Sequence, residues 1–164
     1  MSVLDTSLKA NQTYAASFGD NSLPMPPAKQ FAVLACMDAR LMPDQFLGFG
    51  IGDAHVIRNA GGLATDDAIR SLVISYKLLG TREFFVVNHS DCGMLTFEED
   101  AVKAQLAKDT GADTGPLRLY PFKNLEENVR VQVGKIRSCP WIPNDTPVYG
   151  FIYQVEDGRL RQIV

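Results

Sequence analysis

Phe84-Phe85-Val86-Val87-Asn88-His89-Ser90-Asp91-Cys92-Gly93-Met94 is the stretch whose reading decides the fold. Its first half is aromatic and β-branched, of strand length, and followed by a glycine, which predicts a buried strand stopping at His89. His89 and Cys92 then share one short loop, and two intervening residues let an imidazole and a thiol approach a common metal ion at about 2.0–2.3 Å. Alone, that spacing is a weak signal. It gains weight from an upstream run of the same design, Phe31-Ala32-Val33-Leu34-Ala35-Cys36-Met37-Asp38-Ala39-Arg40, a second apolar strand that ends in a cysteine.

Working outward, Ala54–Arg58 reads as a strand leading into the glycine turn Asn59-Ala60-Gly61-Gly62. Leu41–Leu47 suits a short helix with Pro43 near its start and Gly48 or Gly50 at its end. Residues 65–79 carry an apolar stripe of Ile69, Leu72, Val73, Tyr76 and Leu79, with Thr65 as a cap, Asp66 and Asp67 at the positive end of the dipole, and Gly80 as the stop. Met94–Lys108 and Pro121–Ser138 read as two further helices separated by a loop. Val148–Tyr153 and Leu160–Val164 read as strands around an Asp157-Gly158 turn. Residues 1–14 look weakly helical, and the proline-rich 18–29 reads as an irregular lead-in.

Strands alternating with helices imply an α/β fold, a mainly parallel sheet flanked by helices on both faces, with a C-terminal hairpin. Ligands in such folds gather beyond the carboxyl ends of the strands. If the first and third strands are neighbours, Cys36, His89 and Cys92 converge. The chain of 164 residues, 21% of them charged and with a net charge of −3, reads as one domain with no basic face for nucleic acid or anionic lipid. Its apolar runs are too short to cross a membrane, and residues 1–10 lack the pattern of a secretory signal. Three cysteines, an odd number, argue for free thiols, metal ligation or catalysis in a reducing compartment, hence the cytoplasm.

Cys-x-Asp-x-Arg at one strand end and His-x-x-Cys at a later one resemble the β-class carbonic anhydrases. The likeness spans roughly Lys29 to Thr96 and includes Arg58-Asn59-Ala60-Gly61. Within that class, the short chain and the run Ala35–Arg40 are similar to a compact bacterial and fungal branch that also contains enzymes hydrolysing carbonyl sulfide. The resemblance implies Zn²⁺ held by Cys36, His89 and Cys92, an Asp38–Arg40 dyad beside it, and a homodimer as the smallest assembly. It also implies reversible hydration of CO₂ to bicarbonate by attack of zinc-bound hydroxide, with release of H₂S and CO₂ from carbonyl sulfide as the alternative.

Two thiolates would cancel the charge of Zn²⁺ and leave a soft Lewis acid. Asp38 can compensate as a hydrogen-bond acceptor that aims the attacking oxygen, while the planar donors of Arg40 keep its carboxylate off the metal. Both gases are small, linear and neutral, so a narrow apolar cavity suffices, with Met94, Leu95 and Phe46 as candidate lining. Pro27 stands where plant-type relatives carry a substrate-contacting glutamine, and His55 where they carry phenylalanine. Both departures add weight to carbonyl sulfide. Plainer readings stand beside these: Cys36 taken alone is a small buried hydrophobe, and Asp38 with Arg40 alone is a minor surface ion pair. Asp38 could instead close a four-ligand structural zinc site. Cys139 is read as structural or merely free, and His55 as a satisfied histidine near the site, a proton relay or a residue without catalytic part, not as a ligand.

Overall fold

A computed structural model describes residues 2–19 and 22–164; Met1 of the first expected helix and two positions of the lead-in lie outside them. In chain order the elements are α1 (Val3–Ala16), β1 (Phe31–Cys36), α2 (Pro43–Leu47), β2 (Ala54–Asn59), α3 (Asp66–Leu79), β3 (Glu83–His89), α4 (Glu99–Thr110), α5 (Leu125–Arg137), β4 (Val148–Tyr153) and β5 (Leu160–Gln162). One sheet gathers the strands in the order β2-β1-β3-β4-β5. The first four run parallel, and β5 turns back antiparallel on β4.

Every residue of β1 is buried, as a central strand covered on both sides requires. Ala32 and Leu34 face Ala68 and Leu72 of α3 and Val129, Val133 and Ile136 of α5. Phe31, Val33 and Ala35 face the other way, against Phe46 and Leu47 of α2 and a set of sheet aromatics. Cover is therefore unequal. Two long helices lie on one face, while the other receives only the five-residue α2 and leaves Phe85, Tyr149 and Phe151 half-buried.

Where the glycine signals were strongest, the helices stop as read, although α2 begins at Pro43 rather than at Leu41. Gly48 and Gly80 end α2 and α3 in the left-handed conformation, with φ of 66° and 79°. Thr65 occupies the cap position of α3, but its side chain makes no capping bond. Two further helices differ from expectation. Met94 does not open a helix: Gly93–Leu95 is a single 3-10 turn closed by Leu95 N–H on Cys92 O, and α4 starts only at Glu99. The reason is tertiary, because Met94 is drawn inward against Cys36 and Cys92. Residues 121–124 do not join α5, since Phe122 N–H is spent on Met94 O and Asn124 caps the helix by accepting from Glu127 N–H. The final strand is also shorter than read, ending at Gln162 rather than at Val164.

Candidate metal centre

The register sets the site. β1 and β3 are adjacent, with Ala35 beside Val87, so Cys36 and His89 leave the sheet at the same carboxyl edge, and the loop after β3 brings Cys92 back to them. One nitrogen of His89 and the sulfurs of Cys36 and Cys92 lie within 4.8 Å of one another, and all three residues are buried. His89 Nδ1 donates to Ser90 O at 2.8 Å, which leaves Nε2 with its lone pair free. Among the described residues Nε2 is the buried side-chain nitrogen or oxygen without a hydrogen-bond partner. A buried polar atom without a partner is costly unless something fills the gap. The donor set, two soft sulfurs and one imidazole, suits a metal ion.

The electrostatics agree. The Cys36 thiol is pushed well below its ordinary value, chiefly by the hydrogen bond from Cys92 and more weakly by the backbone N–H groups of Asp38 and Gly61, against the opposing effect of burial. Cys92 is pushed up by the same pairing with Cys36 and by burial.

Asp38 lies at the edge of the cluster, its Oδ2 3.7 Å from His89 Nε2. Arg40 holds it from three donors: backbone N–H and Nε to Oδ1 at 2.9 and 3.0 Å, and a terminal nitrogen to Oδ2 at 2.9 Å. Those bonds draw the carboxyl well below its usual range. Arg40 is itself fastened by Asp91 Oδ2 at 2.8 Å and Asp91 O at 3.0 Å. Arg58 braces the same loop from β2 by donating to Cys36 O and Asp38 O.

Asp91 and Arg58 were missed as site residues. Asp91 carried a signal, an aspartate inside His-x-x-Cys whose positive φ of 51° suits Asp better than most residues. Phe46, Met94 and Leu95 do pack around Cys36 and Cys92, together with Leu41, Leu63, Phe97 and Phe122. His55 lies apart, with Nδ1 on Ser75 Oγ at 2.7 Å. Cys139 is buried in the main core.

Residues 31–114 match the carbonic anhydrase family model. Over 164 residues the sequence is 45% identical to β-carbonic anhydrase 1 of Mycobacterium tuberculosis, covering 99% of each chain. The chain belongs to the β-class carbonic anhydrases. The crystal structure of carbonic anhydrase from Streptococcus mutans superposes on it with a TM-score of 0.95 at 44% identity, covering 100% of this chain and 99% of that one. A carbon disulfide hydrolase of Acidithiobacillus thiooxidans is 38% identical over 84% of this chain and 78% of its own. This β-carbonic anhydrase is thus an enzyme with a Cys-His-Cys metal site at the carboxyl edge of its sheet. Among the described residues, no helix is long and apolar enough to cross a membrane.

Proposed function

We propose that the metal is Zn²⁺, held by Cys36, His89 and Cys92, and that Asp38 and Arg40 are the residues through which this β-carbonic anhydrase hydrates CO₂ reversibly. The observation that carries the reading is the unpartnered Nε2 of buried His89 beside two buried sulfurs. Zinc, when bound, supplies Lewis acidity where water and CO₂ meet. Asp38 accepts a hydrogen bond from the reacting water and so directs an oxygen lone pair toward carbon. Arg40 fixes the plane of that carboxylate. Because Arg40 engages both oxygens of Asp38, the geometry favours a carboxylate held off the metal over a closed four-ligand structural site. Leu41, Leu63, Met94 and Phe122 give the surroundings an apolar character suited to a small neutral gas.

A second reading, hydrolysis of carbonyl sulfide on the same site, is favoured by the 38% identity to a carbon disulfide hydrolase, an enzyme named for another linear sulfur-bearing molecule. The ratio of kcat/KM for CO₂ and carbonyl sulfide decides between the two. Asp38→Ala tests the role assigned to Asp38: hydration falls by about 10- to 100-fold while zinc content stays at the wild-type level. Loss of zinc from that variant makes Asp38 a ligand and sinks the assignment.

In this reading the chain works as one domain, because a single sheet takes its strands from Phe31 through Gln162. It works as a homodimer, because α1 buries none of its residues in its own chain. Its three unpaired cysteines fit a reducing cytoplasm.

A further inference from the structure

Behind the metal centre lies a set of buried amides that the chemistry above does not use. Asn88, Asn128 and Gln132 are 1%, 7% and 3% exposed. They join head to tail. Ala64 N–H donates to Gln132 Oε1 at 2.9 Å, Gln132 Nε2 to Asn128 Oδ1 at 2.8 Å, and Asn128 Nδ2 to Asn88 Oδ1 at 2.7 Å. Asn88 Nδ2 then donates to Gly61 O at 2.9 Å and Gly62 O at 3.3 Å. A backbone N–H can only give and a carbonyl can only receive, so the two ends force every amide into one orientation.

Both ends lie in the same short segment, residues 61–64, and the chain of amides therefore closes on the glycine loop. That loop has little slack. Gly61 and Gly62 have φ of +84° and +61°, and a Cβ on Gly62 would come within 2.9 Å of Cys36 N and 3.0 Å of Asn88 Nδ2. Gly61 N–H in turn donates to Cys36 Sγ at 3.4 Å.

We propose that Asn128 and Gln132 on α5 are positioning residues: through Asn88 they anchor the carbonyls of Gly61 and Gly62, fix the backbone of the glycine loop so that the Gly61 N–H just before them faces the Cys36 sulfur, and thereby set how strongly that sulfur donates to the metal. An N–H aimed at a thiolate withdraws electron density from it. In a site where two thiolates offset the whole charge of a divalent ion, this preserves part of the metal's Lewis acidity. Satisfied buried networks are stiff, so the effect reaches from α5 to the site without contact between α5 and substrate.

This inference rests on the metal reading above, and Co²⁺-substituted protein separates the two. The thiolate-to-metal charge-transfer band reports sulfur donation, and chelator competition reports affinity. Asn128→Leu moves the band to longer wavelength, because a sulfur that loses its N–H donor gives more electron density to the metal, and chelator competition shows no weakening of metal binding beyond that of Val133→Ala. Gln132→Leu, one link further away, shifts it in the same direction. Val133→Ala, a core change on the same helix, loosens packing and leaves the band in place. An unmoved band in either folded amide variant, or an equal shift in Val133→Ala, overturns the proposal. Wild-type protein that takes up Co²⁺ with no thiolate band at all overturns the metal reading, and this inference with it.

Discussion

At the scale of single residues, the site is assembled from groups whose partners are remote in sequence. Cys36, Asp38, Arg40, His89 and Cys92 were legible because each sits in a short motif at a strand end. Arg58, Asn128 and Gln132 were not, because their roles exist only once β2 and α5 are packed against β1 and β3, and Asp91, although inside His-x-x-Cys, meets its partner Arg40 only when β1 and β3 pair. The Asp38–Arg40 clasp has a measurable acid signature. Arg40 first of all, against burial, lowers the Asp38 carboxyl, so the folded chain binds that proton less tightly than the unfolded one. The resulting stability is present above the ordinary carboxylate value of about 4 and is lost as pH falls below it toward the depressed value. Denaturant midpoints of the metal-stripped chain between about pH 5 and 2 fall more steeply for wild type than for Asp38→Asn. Parallel curves would show that the clasp does not favour the ionised form.

At the scale of elements, the strands and the glycine stops were legible because their causes are local: apolar runs of strand length, and left-handed positions that glycine adopts without strain. Helix boundaries failed where the site reaches out and takes residues. Met94 is pulled against the cysteines and Phe122 is tied to it, so α4 and α5 both begin later than their patterns suggest. The packing of α5 on β4 depends on an absent side chain. A Cβ at Gly150 would sit 2.5 Å from Val129 Cγ1 and 2.9 Å from Val133 Cγ2, both fully buried in the core. Gly150→Ala therefore destabilises by about 1–3 kcal/mol, read from a lowered denaturant midpoint at unchanged slope. A neutral result would mean that α5 has room to move off the sheet.

At the scale of the whole molecule, α1 is the element that one chain does not explain. Its capping box of Ser2 and Asp5 makes a well-started helix, yet Val3, Leu4 and Leu8 are 83%, 65% and 58% exposed. A helix of 14 residues with no core contact has little reason to persist alone. In the proposed dimer that apolar surface is covered by the second copy. Light scattering should find the wild-type chain at twice the monomer mass, and Leu4→Glu with Leu8→Glu should shift it toward monomer. A wild-type monomer, or a dimer indifferent to those changes, would remove α1 from the assembly. The sheet face left thinly covered by α2 was likewise illegible, since strand and helix patterns do not reveal which side each crossover takes.

The chemistry of this enzyme depends on three donors from two strand ends serving one catalytic ion. The most direct test is titration of metal-free protein with Zn²⁺ while the initial rate of CO₂ hydration is followed. The rate should climb linearly, break at one zinc per chain, and stay at baseline throughout for Cys92→Ser. A wild-type chain that fills to one zinc without hydrating CO₂, or a Cys92→Ser chain that works as well as wild type, would contradict that dependence.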